Sequence, residues 1–177
     1  MLSAETLAYA KSKIRDIPDF PSKGIVFKDI TPLLADPRAF HIVLDSLAER
    51  FIGAHVDAIV GVEARGFIFG GALAARLNAS FVPARKPGKL PAEVDRVSYT
   101  TEYSTAELEI HKESFHSGAR VVIMDDVLAT GGTAKAAANL VAQQEGSVVA
   151  YAFVIELEFL KGRSVLEGTR IESVLTY

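Results

Sequence analysis

Apolar positions along the chain switch between two spacings, and the switches mark out its elements. Leu7, Ala10, Ile14 and Ile17 recur three and four residues apart, the period of one helical face. This predicts a first helix that stops before Pro18, because a residue preceding proline is pushed out of the α region. Pro18 to Pro32 holds Pro21 and Gly24 as well and reads as irregular. Asp36 can cap a second helix, with Pro37 in the first turn, where no N–H is needed. Phe40, Val43, Leu44, Leu47 and Phe51 form its apolar stripe.

The pattern then changes. Val56 to Val62 reads as a strand running into Glu63-Ala64-Arg65-Gly66, and Phe67 to Leu77 as a helix. Phe81 to Ala84 is a short strand. From Lys86 to Ser117 the chain turns polar and carries Pro87, Gly88 and Pro91, which predicts a long excursion, a hairpin or lid. Val121 to Met124 is a continuously apolar run, as in the buried centre of a parallel sheet. Asp125 to Thr133 reads as a loop, Ala134 to Gln144 as a helix stopped by Gly146, and Val148 to Ile155 as a strand. Strands alternating with helices imply an α/β fold with a mainly parallel central sheet flanked by helices. Ligands of such sheets collect at the carboxyl ends of the strands.

Composition narrows the function. A length of 177 residues suits one domain over the whole chain, since domains run to roughly 100–200 residues. The net charge of −3 argues against a nucleic-acid partner. No apolar stretch reaches the ~18 residues of a membrane span, and the first residues lack the apolar centre of a secretory signal. Cysteine is absent, which excludes thiol catalysis and Cys-bound zinc and fits a cytoplasmic protein.

The candidate chemistry lies in VVIMDDVLATGGT, residues 121 to 133. A buried strand delivers Asp125 and Asp126 to the carboxyl edge of the sheet. Ala129, Thr130, Gly131, Gly132 and Thr133 follow, small residues opening a helix whose free N–H groups suit a phosphate. Carboxylates accept hydrogen bonds from sugar hydroxyls, so the ligand implied is a sugar phosphate. Other phosphate motifs fail. Gly61 and Gly66 have P-loop spacing, but Phe67 and Ile68 stand where Lys and Ser/Thr are needed. No Gly-x-Gly occurs, so the dinucleotide fingerprint is missing.

This segment resembles the phosphoribosyl-pyrophosphate (PRPP) signature of type I phosphoribosyltransferases. FPSKGIVFKDITPLL, VGVEARGFIFG, RKPGKLP, SYTTEYSTAELEI and VIELEFLKG extend the resemblance over nearly the whole chain, in particular to the adenine-specific members. The resemblance implies that fold with a flexible hood loop at about 86–117, and transfer of phosphoribose from PRPP to adenine, giving AMP and pyrophosphate. It implies magnesium held through PRPP or pyrophosphate, with no direct protein ligand, and a homodimer. It assigns the ribose hydroxyls to Asp125 and Asp126 and the 5′-phosphate to residues 129 to 133. Pyrophosphate falls to Glu63, Ala64, Arg65 and Gly66 together with Arg85, Lys86 and Lys89. Arg65 and Glu102 are the catalytic residues, with Tyr103 beside Glu102 in the lid. Val26, Phe27, Lys28 and Leu157 receive adenine, Phe27 by stacking; on apolarity alone Phe27 and Leu157 read as core. A cis peptide between Glu63 and Ala64 is also implied. Two alternatives share these motifs: a transferase for another purine, and a PRPP-responsive regulator. The adenine-type start argues against the first, and the net charge and the short stretch before Asp19-Phe20-Pro21 against the second.

Overall fold

The computed structural model describes residues 3–100 and 105–177. Helix α1 (Ala4–Lys11) is capped by the Ser3 hydroxyl, which accepts from the Thr6 amide. It ends well before Pro18. Ile14 and Ile17, expected on its face, lie beyond it, and Arg15–Pro18 is instead a strand, β1. β1 pairs antiparallel with β2 (Val26–Asp29), which occupies a stretch expected to be irregular. This ladder, closed by bonds from Arg15 Nε and Nη2 to Asp29, outweighs the helical spacing of the apolar residues. A short helix α2 (Thr31–Ala35) leads to α3 (Pro37–Phe51), and Asp36 caps α3 through the Ala39 amide, as its position predicts.

Strand β3 (Ala58–Val62) runs into α4 (Arg65–Leu77), and β4 (Ser80–Ala84) follows. The polar excursion forms an antiparallel hairpin of β5 (Val94–Thr100) and β6 (Thr105–His111). It is not a free flap along its length: Leu108, Glu109 and Ile110 are buried. Strand β7 (Arg120–Leu128), helix α5 (Gly132–Gln143) and strand β8 (Ser147–Glu156) complete the second half. The strand β7 is longer than expected. Its ladder with β8 continues through Asp125↔Phe153 to Leu128↔Glu156, so both carboxylates belong to the strand rather than to a loop. Two 3-10 turns (Glu158–Leu160 and Gly162–Leu166) precede β9 (Arg170–Thr176), which lies past the last element the pattern predicts.

The central sheet has the order β4-β3-β7-β8-β9 and is parallel throughout. Phe69 and Leu73 of α4 and Val43 and Leu47 of α3 pack with Val122, Met124 and Val154 on one face. On the other, Leu140 of α5 and Ile110 of the hairpin pack with Val121, Ile123 and Phe153. From β3 the chain crosses outward to β4, and from β7 it crosses the opposite way to β8. The crevice between the carboxyl ends of β3 and β7 is therefore the topological switch point, where open α/β sheets take their ligands.

Candidate active site

Two turns flank that crevice. On the β3 side, Glu63 and Ala64 are joined by a cis peptide, as the resemblance implies, and Arg65 opens α4. Gly66 lies directly on β7: a Cβ there would stand 2.7 Å from the Met124 carbonyl oxygen. Its missing side chain is what lets the helix start so close to the two carboxylates.

Successive residues of a strand face opposite sides, and the paired carboxylates obey that rule. Asp126 is buried and pairs with Arg65, Nε to Oδ2 at 2.5 Å. Asp125 lines a small pocket of about 60 Å³ with Ala129, Thr130, Gly131, Gly132 and Thr133. Its Oδ1 accepts the Asp126 amide at 2.8 Å. Burial and the neighbouring Asp126 charge push the Asp125 carboxyl well above the usual carboxylate range. The sequence motif treats the two as equals; the strand gives them different neighbours.

The small-residue loop is shaped from behind. Gly131 has φ +85°, and a Cβ on it would lie 2.7 Å from the Gly162 carbonyl oxygen; a Cβ on Gly162 would come within 2.2 Å of the Ala129 carbonyl oxygen. Gly162 therefore sets how far the loop can sink. Its turn is held by Glu156 at the end of β8, whose oxygens accept from Arg163 Nε at 2.5 Å and Nη2 at 2.7 Å. In the hairpin, the Tyr99 hydroxyl lies 3.4 Å from that of Thr133.

Burial raises the Glu156 pKa, but hydrogen bonds from Arg163 and Ser173 outweigh it and leave the group below its ordinary 4.5. A carboxyl held below its unfolded value adds stability above that value and loses it as pH falls through the folded one. Arg163→Ala should cost roughly 1–2 kcal/mol at neutral pH, the low end for a charged bond because Arg163 is half exposed. In thermal melts the gap to the parent should close as pH falls below 4.5; a gap constant down to pH about 3 would contradict the assignment.

Beyond the loop a cleft of about 820 Å³ opens, lined by Ile25, Val26, Leu157, Phe159, Leu160 and Tyr177, with Lys28 and Asp16. Ala129 and Thr130 line it as well, so cleft and phosphate-sized pocket are contiguous. Strand β2 belongs to a two-stranded sheet, which leaves main-chain groups on its other edge for a ligand. Lys28 Nζ is held by Asp16 at 2.7 Å and lies 4.1 Å from the centre of the Tyr177 ring. Phe27, expected to stack on a base, is not among the lining residues. Its ring lies 5.0 Å from the Arg65 guanidinium and 5.1 Å, edge-on, from Phe20. The spacing of apolar residues gave no sign of Phe159, Leu160 or Tyr177, which are grouped only by the fold.

The basic segment is also tethered. Arg85 Nε and Nη2 each donate to Glu63 at 3.1 Å, and the Lys86 amide donates to the same carboxylate. The Arg85 hydrogen bond holds the Glu63 pKa below the usual range against the opposing effect of burial. Glu63 thus faces a cation of its own chain, whereas Lys86 and Lys89 are exposed. Glu102 and Tyr103 lie outside the described residues.

The sequence profile described as phosphoribosyl transferase domain matches residues 33–167. An adenine phosphoribosyltransferase of Sorangium cellulosum is 68% identical over 164 residues, covering 93% of this chain and 82% of the relative. The crystal structure of adenine phosphoribosyltransferase from Rhodothermus marinus superposes with a TM-score of 0.95 at 46% identity, covering 99% of this chain and 100% of the other. The Saccharomyces cerevisiae enzyme, complexed with an imino-altritol bisphosphate and adenine, gives 0.91 at 42% identity over 97% of this chain and 99% of its own.

Proposed function

Since the chain belongs to the phosphoribosyltransferase family, and within it to the adenine phosphoribosyltransferases, we propose that the crevice between β3 and β7 is its active site. The enzyme transfers the 5-phosphoribosyl group from PRPP to adenine, giving AMP and pyrophosphate, a purine-salvage reaction. The observation that carries the site assignment is the contiguity of the phosphate-sized pocket and the apolar cleft through Ala129 and Thr130. A sugar phosphate anchored by residues 129 to 133 reaches the cleft with its base. Val26 and Lys28 then offer main-chain groups to adenine, and Leu157 packs on its face. Phe27 contributes through Arg65, which it supports from below.

Breaking the bond at the anomeric carbon leaves positive charge on ribose and negative charge on pyrophosphate. Asp126, paired with Arg65, and Asp125 hold the ribose hydroxyls. Arg65, Lys86 and Lys89 face the departing pyrophosphate, and the amides of Ala64 to Gly66 add fixed donors. Glu63 acts through Arg85 rather than on the anion, since carboxylate and pyrophosphate repel. Fixing phosphate on one side of ribose and pyrophosphate on the other makes attack by adenine effectively unimolecular. Magnesium would be held through the phosphates of PRPP or pyrophosphate, in keeping with its preference for substrate phosphates over an all-protein cage, and there it would offset charge on the leaving oxygens.

The roles of Glu102 and Tyr103 follow the family resemblance, and a hood at 86–117 follows it together with the polar composition of that stretch. A single domain over 1–177 follows the chain length, and a cytoplasmic location fits the absence of cysteine. Homodimer formation has added support from exposed Ile68 on α4 and Phe81 on the edge strand β4, and sedimentation equilibrium reads it directly. The decisive test is pyrophosphate release from PRPP with adenine, hypoxanthine, guanine or xanthine. Adenine alone should support rapid turnover. Binding of PRPP without turnover on any base would instead favour a regulator.

A further inference from the structure

Two buried or half-buried carboxylates, not one, fix the basic segment 85–89. Glu63 holds it from the active-site side. From the other side comes Glu109, in the middle of β6 and 1% exposed. Its Oε2 accepts the Gly88 amide at 3.1 Å, and its Oε1 pairs with Arg96 Nη2 at 2.5 Å. Its backbone exchanges two hydrogen bonds with Arg85, at 2.8 and 2.7 Å. A carboxylate this buried is costly unless every oxygen is satisfied, and here a loop amide is one of the satisfying groups. Within the loop, Arg85 Nη1 donates to the Lys89 carbonyl at 2.9 Å. The tethers thus run through Glu109, Arg85 and main-chain groups, while Lys86 and Lys89 remain exposed.

We propose that Glu109 is a positioning residue for the pyrophosphate half of the reaction: through Gly88 and Arg85 it sets the path of the 85–89 loop and so the placement of Lys86 and Lys89. Arg96, cross-strand from Glu109 in the hairpin, supplies the opposite charge that holds its side chain in place. The inference rests on the reading of 85–89 as part of the pyrophosphate site, and its test separates the two.

Calorimetric titration with pyrophosphate in the presence of magnesium, and separately with AMP, is the measurement. Glu109→Ala should weaken pyrophosphate binding about tenfold and leave AMP binding within about twofold, whereas Glu109→Gln, whose amide oxygen can still accept from Gly88, should show a smaller loss with the same split. The doubly substituted Lys86→Ala, Lys89→Ala protein should lose pyrophosphate affinity too. If the lysine variant weakens while both Glu109 variants bind pyrophosphate like the parent, the positioning role is wrong and the site reading stands. If the lysine variant binds normally, the site reading fails and takes the inference with it. Should Glu109→Ala not fold, Glu109→Gln decides alone: equal losses on both ligands would mean general loosening and overturn the proposal.

Discussion

Replacing Gly162 with alanine is expected to lower turnover by on the order of a hundredfold, because a shift of about 1 Å in a positioning element is enough for a loss of that size. The new Cβ would meet the Ala129 carbonyl oxygen at 2.2 Å and the Leu128 side chain at 2.9 Å. Neither neighbour can yield freely. Ala129 is main chain at the mouth of the pocket, and Glu156 with Arg163 fixes the turn from the other side. Relief by moving the loop would displace the amides of residues 130 to 133 from the 5′-phosphate. Overpacking costs about 1–3 kcal/mol of stability, so the folded fraction at room temperature should stay high. Steady-state kinetics with PRPP varied, together with a melting curve, reads both quantities. A variant with near-parental kcat and near-parental KM for PRPP would show that Gly162 does not shape the loop.

The second large effect separates the two carboxylates. Asp126→Asn should lower kcat/KM for PRPP by roughly 10- to 100-fold, the equivalent of one charged hydrogen bond of about 1.5–3 kcal/mol. It also leaves Arg65 without its anionic partner. Asp125→Asn should cost less, since burial already pushes Asp125 toward its neutral form and an amide mimics that form in shape. The two sites are adjacent, so the double variant should not show the sum of the single losses. Equal effects from the two single substitutions would contradict the different environments that β7 gives them.

Much of this site could be read from VVIMDDVLATGGT because strand, acid pair, small loop and helix start are contiguous in sequence. The boundary inside that segment could not. Whether Asp125 and Asp126 sit in a loop or a strand depends on how far β8 extends beside them, and Phe153 and Ile155 supply that pairing from a distance. The first helix failed for a similar reason. Ile14 and Ile17 keep helical spacing with Leu7 and Ala10, yet the helix ends at Lys11 and the ladder between Arg15–Pro18 and Val26–Asp29 claims the backbone of Ile17. The resemblance marks Glu63 and Arg85 each as a candidate for the pyrophosphate site, but nothing in the sequence marks them as partners of each other, 22 positions apart. Gly162 stands in the quoted VIELEFLKG stretch without any local sign of its role; only the approach of the loop at Ala129 makes its missing side chain matter. Phe159 and Leu160 are apolar and exposed, a combination that carries no periodic signal and acquires meaning only opposite β2.

The most direct measurement of the central claim is a crystal structure of the protein with AMP bound. The phosphate is predicted in the pocket of residues 129 to 133, within hydrogen-bond distance of their amides, with the ribose hydroxyls at Asp125 and Asp126 and the adenine ring between Val26 and Leu157. A nucleotide whose phosphate lies away from that loop, or whose base lies outside the cleft bounded by β2 and Leu157, would contradict it.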